Sequence, residues 1–240
     1  MTDKTSMLYW YPTVEKLKIP APQTFIIEAD CDITEILQKT GGDCLSERSI
    51  EKHIDMKQVY EKAKILGYPL FLRSDMTSNK HAWKNTCYVT KESDIIPHLQ
   101  TLMCYSQLAD IINGIPFRAV VLRKYIPMWT LFRAFSMMMP VNPEWRLFAK
   151  DGKIICEHWY WIKEAIRHAE RDEFPAILDH WERVTATSLP KLRKHARAVS
   201  KALPNQEWSI DFCKTDKGDW LLIDMAVAEK SWHPKCKKRK

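Results

Sequence analysis

Trp208-Ser209-Ile210-Asp211-Phe212-Cys213 and Trp220-Leu221-Leu222-Ile223-Asp224-Met225-Ala226 are two apolar runs, each carrying one carboxylate, with the turn Asp216-Lys217-Gly218-Asp219 between them. Runs of this composition on either side of a short Gly-containing turn read as an antiparallel hairpin. Strand alternation then puts Ser209, Asp211 and Cys213 on one face of the first strand, and Leu222, Asp224 and Ala226 on one face of the second. If the two faces coincide, the two carboxylates converge. Buried like charges repel each other and lose hydration, so such a pair shares a proton or meets a cation. Hard oxygen ligands of this kind suit Mg²⁺. The alternative is that one aspartate faces solvent while the other caps a turn.

Working upstream, Glu144-Trp145-Arg146-Leu147-Phe148-Ala149 and Ile154-Ile155-Cys156 flank Lys150-Asp151-Gly152-Lys153. Asp-Gly between apolar runs is a strong hairpin signal. Glu144, Arg146 and Phe148 share a face of that hairpin. Residues Ile162 to Ala202 are helical in pattern, with Pro175 and Pro190 each placed to open a helix. In the first half, Met56 to Leu66 reads as a helix stopped by Gly67-Tyr68-Pro69. A strand Leu70-Phe71-Leu72 follows, ending on Arg73, then a polar loop from Ser74 to Lys84 and a return strand at Cys87-Tyr88-Val89. Ile95 to Ile112 is a second helix closed by Asn113-Gly114, and Phe117 to Ile126 is a β-branched strand. The chain before Phe25-Ile26-Ile27 reads as an extended lead-in, with a break at Gly41-Gly42 beyond it.

The expected class is therefore α+β with two lobes. Residues 1–55 form an N-terminal extension or partial lobe, 56–126 the first lobe, 127–232 the second, and 233–240 a basic tail. At 240 residues and 45% hydrophobic content, the chain is long and apolar enough for a real core, which excludes a disordered chain or a miniprotein. The net charge of +7 owes much to Lys235, Lys237, Lys238, Arg239 and Lys240. A weak nucleic-acid contact through this tail is permitted, and a solvated terminus explains it equally well.

Neither G-x-x-x-x-G-K-[ST] nor G-x-G-x-x-G occurs, which argues against a Walker ATPase or a Rossmann dehydrogenase. The 7 cysteines contain no Cys-x-x-Cys pair and no secretory leader precedes them, so reduced thiols in the cytoplasm are expected. The histidines show no ligand spacing with the cysteines, so a zinc site is not expected. No apolar stretch reaches the roughly 18 residues of a membrane span. Trp159-Tyr160-Trp161 and Tyr9-Trp10-Tyr11 read as packing anchors more readily than as base-stacking platforms.

Basic residues supply the complement to the acidic pair. Arg73 ends its strand and is followed by Lys80, His81 and Lys84, a set able to hold phosphate without a glycine cradle, Arg as a planar fork and Lys as a point charge. Taken singly these are ordinary loop charges, and Arg123-Lys124 and Glu144 with Arg146 are ordinary strand-end or cross-strand pairs. Their order along the chain resembles the ATP-grasp superfamily from about Gly67 to Ser231. It looks especially like the compact clade shared by phage and bacterial proteins and by the eukaryotic assembly chaperone of translation initiation factor 2.

The resemblance implies an α+β ATP-grasp fold, with nucleotide between antiparallel sheets, and Mg²⁺ and ATP as cofactors. It implies that Arg73 and Lys80 meet the ATP phosphates and that Val121, Leu122, Arg123 and Lys124 hold the adenine. Glu144 would join the cofactor site, Arg146 would neutralise transferring phosphate, and Asp211 and Asp224 would hold the metal, with Arg146 and Lys80 as catalytic residues. The implied activity is an ATP-dependent carboxylate–amine or related ligase working through an acylphosphate, on an unknown carboxylate or protein acceptor. The alternatives are a non-ligating ATP-binding assembly chaperone or adaptor, and a nucleic-acid end-processing enzyme. The chain departs from the family pattern in having Arg73 where Lys is usual, few glycines in the loop, no Glu after the hinge strand, and Ala226 where ligases often present an Asn metal ligand.

Overall fold

The computed structural model describes residues 3–30, 46–234 and 236; the Gly41-Gly42 break and Lys235, Lys237, Lys238, Arg239 and Lys240 lie outside them. The chain splits into two compact units, one of residues Gln23–Tyr125 and one combining the chain up to Pro22 with the chain from Ile126 onward.

In the 23–125 unit, β1 (Thr24–Glu28), β2 (Leu70–Ser74), β3 (Tyr88–Val89) and β4 (Ala119–Lys124) form an antiparallel sheet in the order β1-β4-β2-β3. Alternation divides β2 and β4 cleanly. Leu70, Leu72, Val120 and Leu122 join one fully buried cluster with Val59, Ala63, Leu99 and Leu102. The last four come from α3 (Met56–Leu66) and α4 (Ile95–Asn113), which therefore cover this face. A short α2 (Glu47–Glu51) precedes them. The helix α3 starts where the Asp55 carboxylate accepts from Gln58 N, and it ends at Gly67, whose φ of +74° only glycine adopts without strain. The loop after β2 is not wholly irregular as expected, because Lys80–Asn85 winds into a 3₁₀ helix.

The other unit contains a helix that the sequence reading missed. The expected extended lead-in holds α1 (Met7–Lys16), opened by Ser6, whose Oγ accepts from Leu8 N. Met7, Trp10, Tyr11 and Val14 are its buried residues, the i, i+3, i+4, i+7 set of a helix with one buried stripe. Pro12 within this run obscured the pattern, since an interior proline normally breaks a helix; here burial of the aromatic stripe outweighs the lost backbone bond. Beyond a small hairpin of β5 (Phe132–Ala134) and β6 (Met139–Val141), the main sheet is formed by β7 (Glu144–Lys150), β8 (Lys153–Trp159), β9 (Glu207–Lys214) and β10 (Trp220–Val227), ordered β10-β9-β7-β8. Asp151 and Gly152 both have positive φ, as a two-residue type I′ hairpin requires.

The region between β8 and β9 is helical only in part. Pro175 and Pro190 do sit in the first turns of α5 (Phe174–Thr185) and α6 (Leu189–Ala202), but residues 166–173 are not helical. These two helices cover one face of the sheet: Trp145 Nε1 donates to Thr185 Oγ1 at 3.0 Å, and the His195 ring lies 6.4 Å from Phe212. Among the described residues no helix is long and apolar enough to cross a membrane.

Three half-buried histidines give the fold an acid-side dependence. Burial pushes His81, His98 and His195 below the ordinary value of 6.5, reinforced by Lys80 for His81 and by Lys191 and Lys194 for His195. In His98 the Thr86 carbonyl and Asp94 partly oppose the effect of burial. The unfolded chain therefore takes up protons before the folded one. Their contribution is complete above pH 6.5 and is lost as pH falls below it. Thermal melts from pH 7.5 down to about 5.5 are expected to show a falling Tm, and H98Q with H195Q should flatten the slope. An equal slope in wild type and double variant would remove this assignment.

Candidate functional site

The uncovered face of the β7-β9 sheet carries one row of polar side chains. Arg146 on β7 pairs with Asp211 on β9, Asp211 pairs with Asp224 on β10, and on the other side Arg146 pairs with His158 on β8. Directly opposed residues of neighbouring antiparallel strands project to the same side, so His158, Arg146, Asp211 and Asp224 line up across four strands. The two aspartates do share a face, but simple alternation does not bring them there. A bulge between Leu222 and Asp224 puts Leu222 opposite Phe212, on the helix-covered side, and resets the phase so that Asp224 meets Asp211. Leu222 is accordingly fully buried, and the expectation that it shares a face with Asp224 is corrected.

The Arg146–Asp211 contact is a two-pronged fork, with Nε donating to Oδ1 at 2.8 Å and Nη2 to Oδ2 at 2.7 Å. Both side chains are largely buried, at 12% and 6% exposure. Burial works against the charge on Arg146, but the Asp211 carboxylate outweighs it and holds the guanidinium above its ordinary value. The guanidinium also lies 4.6 Å over the Tyr160 ring, and its Nη1 donates to the Trp232 carbonyl at 3.0 Å. Glu144 is buried on the same face of β7, two residues before Arg146. Asp224 is half-buried, and its Oδ1 accepts from Met225 N at 3.0 Å.

This row suits a hard divalent cation. A carboxylate offers about four lone-pair directions, and the Arg146 fork uses two of those on Asp211. Asp224 adds a second set of oxygens opposite it. With one cation against two carboxylates, the trio Arg146, Asp211 and Asp224 carries a net negative charge.

The remaining predicted residues lie in the 23–125 unit. Arg73 and Arg123, both about 4% exposed, project to the sheet face opposite the helices, with Val121 as the cross-strand partner of Arg73. Arg73 Nε donates to the Ser74 carbonyl and Arg123 Nε to Thr24 Oγ1. Leu122 belongs to the helix-packed core, and Lys124 is exposed at the strand end, where its N–H donates to the Gln23 carbonyl. As β4 is flanked by β1 and β2, the backbone of Val121, Leu122 and Arg123 lies between two ladders. Lys80 opens the 3₁₀ helix.

A polar cluster that the sequence reading had discounted emerges beside the row. Cys156, His158, His233 and Cys236 each bring a ligand atom within 4.8 Å of the other three. In the sequence the pairs Cys156-x-His158 and His233-x-x-Cys236 are too far apart to register as one motif. Each pair has a short ligand-like spacing that could have flagged it.

Comparison with known proteins identifies the class to which this fold belongs. Residues 63–240 match a family model described as an ATP-grasp domain, the third family of its clade, so the chain belongs to that family and has its α+β fold. Among solved structures it is similar to Cdc123 from Schizosaccharomyces pombe, at 15% identity and a TM-score of 0.56, covering 93% of this chain and 83% of that one. A C-terminally truncated Cdc123 from the same organism gives 16% identity and a TM-score of 0.54 over the same shares. D-alanine–D-alanine ligase from Bacillus anthracis complexed with ATP is matched at 14% identity and a TM-score of 0.49, over 93% of this chain and 54% of that one. No curated protein matches the chain.

Proposed function

We propose that this protein binds Mg·ATP, with Asp211 and Asp224 holding the metal and Arg146 meeting the phosphates. The observation that carries the reading is the register that sets Arg146, Asp211 and Asp224 opposite one another across β7, β9 and β10. Bound there, Mg²⁺ would neutralise phosphate charge and orient the triphosphate. Arg146 is held by Asp211 and Tyr160 with its fork already oriented, so little side-chain freedom is lost when an anion arrives. In the 23–125 unit, the same reading gives phosphate contact to Arg73 and Lys80 and the base to the end of β4, from Val121 to Lys124. Glu144, buried two residues from Arg146, helps to set the charge of the site. A cytoplasmic location belongs with this reading.

As an enzyme, the protein would transfer the terminal phosphate of ATP to a carboxylate, giving an acylphosphate that an amine or another nucleophile then displaces. Positioning and charge neutralisation by Arg146 and Lys80 would supply the protein's share of catalysis. The second reading is a non-ligating ATP-binding adaptor that recognises a protein partner. It is favoured by Ala226, which pairs with Ser209 on the Asp224 side of β10 and offers no ligand where many ligases carry Asn.

Calorimetric titration with ATP and Mg²⁺ tests the shared core of both readings. D224N is expected to weaken binding by at least about tenfold, the equivalent of about 1.4 kcal/mol, with no comparable loss when Mg²⁺ is left out. Equal Mg-dependent affinity in wild type and D224N would remove Asp224 from the site. Release of ADP and phosphate on adding candidate carboxylates and amines supports the ligase; its absence under every mixture supports the adaptor.

A further inference from the structure

We propose that Cys156, His158, His233 and Cys236 form a structural Zn²⁺ site that clasps the chain after Trp232 onto β8. This inference does not depend on nucleotide binding. Two ligands come from alternate positions of a single strand, where residues i and i+2 project to the same side. The other two come from the segment beyond the last 3₁₀ turn, Ala228–Lys230. His233 Nε2 lies 3.0 Å from Cys156 Sγ and 3.8 Å from Cys236 Sγ. The His158 and His233 rings stand 4.9 Å apart and nearly perpendicular, at 84°.

A tetrahedral zinc ion with Zn–S of about 2.3 Å and Zn–N of about 2.0 Å separates its ligand atoms by roughly 3.3–3.8 Å. The four atoms here, all within 4.8 Å of one another, need to draw in only slightly to enclose such an ion. Four protein ligands leave no position for water or substrate, which marks a structural site rather than a catalytic one.

The surroundings favour the same ion. Cys156 is buried against Phe148 and Ala228, with Ile155 and Cys236 packed at the edge, and the Phe148 ring meets His233 edge-on at 4.4 Å. A net charge would be costly in this apolar wall, but two thiolates cancel the two charges of Zn²⁺. The two thiol protons pass to solvent on binding, and no electrons are transferred. Soft sulfur with imidazole selects zinc over Mg²⁺, which takes oxygen ligands. The clasp adjoins the polar row, since His158 is the cross-strand partner of Arg146 and the Trp232 carbonyl accepts from Arg146. Zinc would thus keep that carbonyl in place next to the guanidinium.

The test is metal content and cobalt spectroscopy on the full chain. Wild type purified without chelators is expected to hold about one zinc per chain by elemental analysis. After zinc removal it should bind Co²⁺ with the intense tetrahedral d–d bands and thiolate-to-cobalt charge transfer of a two-sulfur site. C156S and C236S should each lose zinc affinity by more than about 100-fold, since even outer-shell partners of a metal are worth about 10–100-fold. C104S, altering an exposed thiol remote in sequence from the cluster, should keep the full content. Wild-type protein that neither holds zinc nor gives the cobalt spectrum overturns the site, and so does a Cys156–Cys236 disulfide in its place. The cobalt spectrum of wild type needs no variant, so misfolding of C156S cannot mask the answer.

Discussion

D211A is expected to abolish Mg·ATP binding and to destabilise the fold by about 3–5 kcal/mol, the range for removing one partner of a buried ion pair. Asp211 accepts both arms of the Arg146 fork, and the pair is almost wholly enclosed, at 12% and 6% exposure. With the carboxylate gone, the guanidinium stays in place without its counter-charge, and its desolvation is no longer offset. A melting temperature lower by roughly 6–20 °C follows for a chain of this size.

Structural and functional roles separate in the double variant R146L/D211L. Replacing both members of a buried pair by apolar residues is often close to neutral, so the double variant should regain most of the stability lost in D211A. It should still bind no Mg·ATP. Urea unfolding and calorimetric titration on the three proteins measure the two effects independently. If D211A melts like wild type and binds nucleotide as tightly, Asp211 is neither the counter-ion of Arg146 nor a metal ligand.

W208A carries the largest packing effect. Trp208 is fully buried at the start of β9, its Nε1 donates to the Leu203 carbonyl at 2.9 Å, and Tyr9 of α1 stacks on its ring at 6.1 Å and 19°. Truncation leaves a large cavity and an unpaired carbonyl, at an expected cost of about 3–5 kcal/mol. W208F, which keeps an aromatic ring but not the N–H, should fall between wild type and W208A. The urea midpoint with unchanged slope reads this directly. A W208A cost below about 1 kcal/mol, the level of an ordinary substitution, would mean that α1 does not pack on this sheet.

Local signals account for much of what the sequence disclosed. The limits of α3 follow from Asp55 at one end and Gly67 at the other, and the β7–β8 hairpin follows from Asp151-Gly152. Arg146, Asp211 and Asp224 stood out because each is a charge inside an apolar strand, a position that costs energy without a partner. Pro12 hid α1, and the stretch at residues 166–173 was read as helix from composition without a start signal. Neither error touches the row, because the row depends on strand pairing rather than on helix boundaries.

By itself the sequence determined the family's order of elements, both hairpins and the polar residues of the row, since those depend on turn chemistry and on alternation within single strands. Only the tertiary structure decided what each polar residue faces. The bulge before Asp224 set the phase that opposes the two aspartates, and the Arg146 fork came from pairing β7 with β9. The four metal-type ligands met because a strand and the segment after Trp232 converge. Cross-strand register and long-range closure arise from the packing of whole sheets, and no short stretch of sequence encodes them.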